Sequence, residues 1–171
     1  MSTLDSIARG VAASAVGTLA MDTWLYRGYR RGGGDVGFAN WESSVGVASW
    51  EDAPAPAKVA KRLLEAVLRR DVPPRYARAL NNATHWAFGL GAGAAYGLLV
   101  GSGHKSSKVV YGPPFGAGVW AGGYVVLPVL GVYEPIWDYD LKTLGKDLEA
   151  HLVFGTVTAA AYSLLPGEAG S

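Results

Sequence analysis

Cysteine is absent, which excludes a disulfide framework, a thiolate metal site and a cysteine nucleophile together. An excess of charge of either sign is also missing: 15 Lys and Arg face 14 Asp and Glu, for a net charge of +1, so nothing in the balance asks for a nucleic-acid partner. No phosphate loop, nucleophile elbow or zinc-protease motif occurs, and no catalytic residues and no enzyme activity are expected. The amino terminus has no basic region, and its apolar stretch is broken by Arg9 and Asp22. It therefore reads as a first membrane helix and not as a removable signal peptide.

What the chain does have is apolar and small. Half of its residues are hydrophobic and 24 are glycine, a mixture suited to helices packed in lipid. Three stretches carry no formal charge, Ala79 to Gly103, Val109 to Tyr133 and Ala150 to Gly167, and each is long enough for a hydrocarbon core that needs roughly 20 helical residues. A fourth, Ile7 to Tyr26, has Arg9 near one end, where it can snorkel, and Asp22 near the other. The expectation is one all-α membrane domain over residues 1–171, with transmembrane helices over about 5–27, 79–101, 111–134 and 146–166.

Orientation follows from the basic residues. Arg27, Arg30, Arg31, Lys58, Lys61, Arg62, Arg69, Arg70, Arg75 and Arg78 all lie in one connection, which the positive-inside rule places in the cytoplasm. Both termini and the His104 to Lys108 loop then lie outside, and Ile136 to Glu149 returns to the cytoplasm. Within the long connection, Ala60, Leu63, Leu64, Val67 and Leu68 share one helical face. This predicts a cytoplasmic amphipathic helix over about 57–71, lying on an anionic leaflet or packed on the protein's own surface. Before it, Gly32-Gly33-Gly34 and Pro54-Ala55-Pro56 bracket an irregular stretch in which Trp41 and Trp50 can anchor at headgroups.

An internal repeat is the most specific signal. His85-Trp86-Ala87-Phe88-Gly89 recurs as His151-Leu152-Val153-Phe154-Gly155, and at the same offset Ala94-Ala95-Tyr96 matches Ala160-Ala161-Tyr162. This reads as duplication of a two-helix unit in parallel orientation. Gly89, Gly93 and Gly97 are spaced four apart, and Gly155, Ala159 and Ser163 take the matching places, making small-residue stripes for close helix packing. Gly118 and Gly122 offer the third helix a similar groove. Glycine this abundant also suggests a homodimer.

The repeat brings His85 and His151 to equivalent depths, with Tyr96 and Tyr162 three turns further along the same faces. Asp22 and Glu134 fall at a similar depth near the ends of the first and third helices. Ionisable groups within a bilayer mark functional sites by default, although near helix ends they also serve structure. Three functional readings follow: a proton or small-ion pathway through His85, His151, Asp22, Glu134, Tyr96 and Tyr162; a metal site on the two histidines and two carboxylates alone; and haem held by His85 and His151. The pathway is preferred, with no metal or cofactor expected; a non-catalytic packing partner in a membrane complex is the bland alternative. Pro128 is expected to kink the third helix and Pro135 to end it. Trp86, Trp120 and Trp137 read as core or interfacial anchors.

Asn81-Asn82-Ala83-Thr84-His85-Trp86, followed by Phe88-Gly89 and Tyr96-Gly97-Leu98-Leu99, with His151-Leu152 and Phe154-Gly155 later, resembles the YagU-type family of bacterial inner-membrane proteins. The likeness takes in Gly17 to Trp24 and leaves the Gly32 to Pro56 loop unaccounted for. It implies a multi-pass inner-membrane location and a role in tolerance of acid or envelope stress, and it carries over no site residues.

Overall fold

The computed structural model describes residues 2–101 and 108–166. The protein is all-α, and no strand occurs among the described residues. Six α-helices run in chain order: α1 Thr3–Arg31, α2 Phe38–Glu42, α3 Ala55–Leu68, α4 Ala77–Gly101, α5 Gly112–Val129 and α6 Leu141–Leu164. The expected outer loop His104 to Lys108 falls almost wholly outside the described residues, as does Gly167.

Among the described residues no helix is long and apolar enough to cross a membrane. Length is not the obstacle in α1, α4 and α6, which have 29, 25 and 24 residues against the roughly 20 a bilayer core needs. The shortfall is in apolar content, diluted by glycine, hydroxyl, amide and imidazole side chains.

Helix ends follow local chemistry. Helix α6 begins at Leu141, five residues before the expected start at 146 and nine before the apolar run at Ala150, because Asp140 caps it by accepting the backbone N–H of Lys142 at 2.9 Å and of Thr143 at 3.0 Å. The Thr143 hydroxyl also donates to this carboxylate at 2.7 Å, and with the two backbone bonds it holds the Asp140 carboxyl below its ordinary 3.8. A carboxyl lowered by folding stabilises above its unfolded pKa, and that contribution disappears as pH falls through the folded value. Asp140→Ala is expected to lower the melting temperature at pH 7 and to make no difference once both proteins are acidified well below 3.8. Asp140→Asn should restore most of the loss at pH 7, and thermal scans at both pH values would check the pair.

The third long helix stops sooner than expected. Pro128 does not kink a helix that continues to Pro135; α5 ends at Val129. Proline brings no backbone donor, and Gly131 then closes the turn at φ 61°, donating to the Pro128 carbonyl at 2.8 Å while Val132 donates to Leu127 at 2.9 Å. Helix α3 covers 55–68, short of the expected 71, because Arg69 turns left-handed at φ 53°. The stretch expected to be irregular contains α2, and Trp41 packs there among Tyr26, Tyr29 and Phe38, with ring centroids 5.5 to 6.4 Å from its own. The Trp50 indole N–H donates to the Val72 carbonyl at 2.8 Å.

The chain divides into two compact units. The first comprises residues 1–25, 88–122 and 140–171, and the second residues 26–87 and 123–139.

In the first unit the helices touch through positions that have no room for a side chain. A Cβ on Gly10 of α1 would strike the Gly93 carbonyl oxygen and stand 2.9 Å from the Gly97 nitrogen of α4. Ser14 packs on Gly93 and Thr18 on Gly89, so the Gly89-Gly93-Gly97 stripe is a helix contact as its spacing predicts. Between α5 and α6 the contact is made by Gly112, Gly116 and Gly155, with Ala159 fully buried beside them. Gly118 and Gly122 are not that groove, since a Cβ on either would meet open space. Ser163, at the end of the second stripe, donates to the carbonyl of Ala159 on its own helix.

In the second unit α3 buries Ala57 and Ala60, and Ala57 packs with Ala53 and Ala77 beside Val47 and Trp50. Leu63, Val67 and Leu68, expected on the same apolar face, are exposed. Small alanines fit the close approach, and the larger side chains stay outside.

Candidate functional site

Among the described residues a polar constellation stands out in each unit. In the first unit the helix interior is lined by short hydroxyls. Ser6, Ser14, Thr18 and Thr158 are buried, as is Asp22. The hydroxyls of Thr18 and Thr158 are wholly buried without a hydrogen-bond partner, which is costly for a polar group unless water or a ligand supplies one. Tyr96 and Tyr162 are brought together: their rings meet edge to face at 5.6 Å, and Phe115 meets Tyr96 at 5.1 Å.

Two further residues of this unit make bonds that differ from expectation. Arg9 does not snorkel away from the bundle. Its guanidinium donates to the Tyr162 carbonyl at 3.0 Å and the Leu165 carbonyl at 2.7 Å, and lies 4.6 Å from the Tyr162 ring centroid. It thus caps α6, whose last carbonyls have no partner within the helix. His151 is held within its own helix, Nδ1 lying 2.8 Å from the Asp147 carbonyl and 3.5 Å from the Asp147 carboxylate. An imidazole fixed through Nδ1 presents Nε2 for proton exchange or ligation.

In the second unit, one face of α4 is polar for two turns. Arg78, Asn81, Asn82 and His85 fall at i, i+3, i+4 and i+7. The first three seize the end of α2: Arg78 Nε donates to the Ser43 carbonyl at 2.9 Å, Asn82 to the same carbonyl at 3.0 Å, and Asn81 to the Ser44 hydroxyl at 2.8 Å. Ser44 in turn donates to Asn82 Oδ1 at 3.1 Å. This clamp holds Ser44 at a left-handed φ of 53° and brings Glu42, one residue before Ser43, to His85. A carboxylate oxygen of Glu42 and a ring nitrogen of His85 lie within 4.8 Å of each other. The Asn-Asn-x-x-His motif noted in the sequence is thus the half of a site whose other half is Glu42.

The expected carboxylate of the third helix is placed differently. Glu134 lies beyond the end of α5, exposed, its backbone N–H donating to the Tyr139 hydroxyl at 3.2 Å. Glu134 and His85 belong to the second unit, Asp22 and His151 to the first. Glu42 had no periodic pattern to announce it, and Thr18 and Thr158 read as ordinary small helical residues.

Compared with family models, with curated proteins and with solved structures, the chain matches none of them.

Proposed function

We propose that the chain is a multi-pass protein of a bacterial inner membrane that moves protons or a small ion through a polar helical interior. The observation that carries this reading is the pairing of buried polar side chains with exposed large apolar ones in the first unit. Ser6, Ser14, Thr18, Asp22 and Thr158 are buried beside the apolar cluster of Ala13, Tyr96, Val100, Ala159 and Tyr162, while Leu4 (74 % exposed), Phe88 (63 %), Leu99 (70 %) and Leu164 (85 %) point outward. A lipid solvent suits such an outward face, with association carried by close packing and internal polar contacts. Segment-averaged hydropathy counts both faces together, so inward glycines and hydroxyls lower it although lipid would meet only the outward face.

The contact between Tyr96 and Tyr162, which hold equivalent places in the repeat, is consistent with reading the helices as two copies of one pair packed side by side. The residues proposed to exchange protons are His151 through Nε2 and the His85–Glu42 pair, with Asp22 as a buried carboxylate and the hydroxyls of Thr18 and Thr158 as places for water. A link to acid or envelope stress goes with the family resemblance and is part of the same proposal. A second reading has one observation in its favour: the carboxylate–imidazole pair of Glu42 and His85 suits a divalent transition metal.

Liposomes containing the protein are expected to dissipate an imposed pH gradient, and a His85→Ala, His151→Ala double variant to lose that flux by at least tenfold. No flux in the parent, or equal flux in the variant, would overturn the pathway. Release of the protein from native membranes by alkaline carbonate would overturn the membrane reading itself, and stoichiometric metal lost in Glu42→Gln would favour the second reading.

A further inference from the structure

The outer side of α3 is finished as a surface, although nothing in the second unit covers it. Leu63 is 54 % exposed and Val67 78 %, and with Ala66 between them they occupy i, i+3 and i+4 of one helical face. Leu68, 47 % exposed, leads from this stripe into a cleft of about 390 Å³ whose walls include Leu64, Val72 and Tyr76 and whose rim carries Arg70, Arg75 and Asp71.

Charge sorts the possible occupants. Residues 58–78 hold seven basic side chains and two acidic ones, 7 − 2 = +5. Several are already engaged. Glu65 accepts the Val72 N–H at 3.0 Å and pairs with Lys61 at 3.4 Å, bonds that hold its carboxyl below the usual range, the Val72 N–H most of all. Arg62 donates to the Gly131 carbonyl at 2.8 Å, and Arg78 is taken up by the Ser43 clamp. Arg70 and Arg75 remain exposed at the cleft, with Arg69 exposed at the end of α3, against the single carboxylate of Asp71. The Arg75 guanidinium is set over the Tyr76 ring at 4.9 Å and donates to its hydroxyl at 3.3 Å, which presents a cation at the rim with less freedom to lose on binding.

We infer that this face docks on the headgroups of anionic phospholipid, Leu63, Val67 and Leu68 entering the acyl boundary and Arg69, Arg70 and Arg75 meeting phosphate. An apolar stripe edged by arginine on a short helix is the composition that anionic interfaces retain. A phosphate beside an apolar tail also matches a cleft with leucine walls and a guanidinium rim. The inference does not depend on the first unit spanning a bilayer, since a chain held at the surface would dock by the same face.

The absence of cysteine makes the test direct. Full-length protein carrying a single environment-sensitive label at Leu63→Cys or Val67→Cys is placed in nanodiscs of phosphatidylcholine alone or mixed with phosphatidylglycerol, with a label at Glu51→Cys as control. At Leu63 and Val67, but not Glu51, a blue shift and quenching by brominated lipid are expected in the anionic discs and are reversed by high salt. Arg70→Glu with Arg75→Glu, both at exposed positions, should weaken the anionic-lipid response by about fivefold or more per arginine replaced, with the helical content of the variant compared with that of the parent. An equal response in both lipids, or none, overturns the inference. So does a blue shift that rises with protein concentration instead of anionic lipid, which would assign the face to a second copy of the chain. Carbonate extraction tests spanning separately, so the two readings can fail independently.

Discussion

Gly10→Val is expected to part α1 from α4 and to destabilise the protein by roughly 3 kcal/mol or more, at the upper end of what overpacking usually costs. The obstacle is the opposing backbone. A Cβ on Gly10 would collide with the Gly93 carbonyl and stand 2.9 Å from the Gly97 nitrogen, and backbone atoms of a hydrogen-bonded helix cannot rotate aside as a side chain can. Even alanine should destabilise here, although in an open helical position it gains about 0.5–1 kcal/mol over glycine. Gly28, on the same helix with nothing within 4 Å of a Cβ, supplies the comparison: Gly28→Ala should stabilise slightly. Helicity followed through heating in detergent would measure both. Equal melting temperatures for Gly10→Val and the parent would show that the close approach is not required.

The second large effect is expected at Arg9. Arg9→Met keeps most of the apolar stem but leaves the carbonyls of Tyr162 and Leu165 without the guanidinium that now binds both. Two hydrogen bonds to a charged donor, at about 1.5 kcal/mol each, put the loss near 3 kcal/mol, with the cation–ring contact at Tyr162 in addition. Both bonds leave one nitrogen, Nη2, so Arg9→Lys, whose ammonium also has several donors, should recover part of the loss and forfeit mainly the planar contact with the Tyr162 ring. The change should concentrate at the end of α6, so amide exchange of residues 160–165 is the sensitive readout. Uniform acceleration across all helices, or none, would contradict a local capping role.

How much of this could be read from the residues alone depends on whether a signal is periodic. The stretches without charge mark α4, α5 and α6, the apolar run around Arg9 and Asp22 marks α1, and the four-residue spacing of Gly89, Gly93 and Gly97 marks a packing face that the structure uses. On α5 the same reasoning chose Gly118 and Gly122 where Gly112 and Gly116 make the contact. That helix is apolar all round, so spacing had no polar face to measure against. The apolar run through Leu130, Val132 and Tyr133 hid the end of α5, which is set by the positive φ of Gly131. Glu42 was invisible because it reaches His85 through a five-residue helix and the Asn81–Ser44 clamp, which belong to tertiary structure. Arg9 was legible as a cation in an apolar helix, but its acceptors stand 153 and 156 residues away.

That separation has a consequence for the order in which the chain can mature. A ribosome makes α1 before α6, so the contacts of Gly10 with α4 can form while the acceptors of Arg9 do not yet exist, and α6 is also the helix on which Gly17 rests at the Phe154 carbonyl. Helix α1 therefore closes its native contacts in two stages, and a nascent chain halted before Tyr162 holds the whole of α1 without its seal.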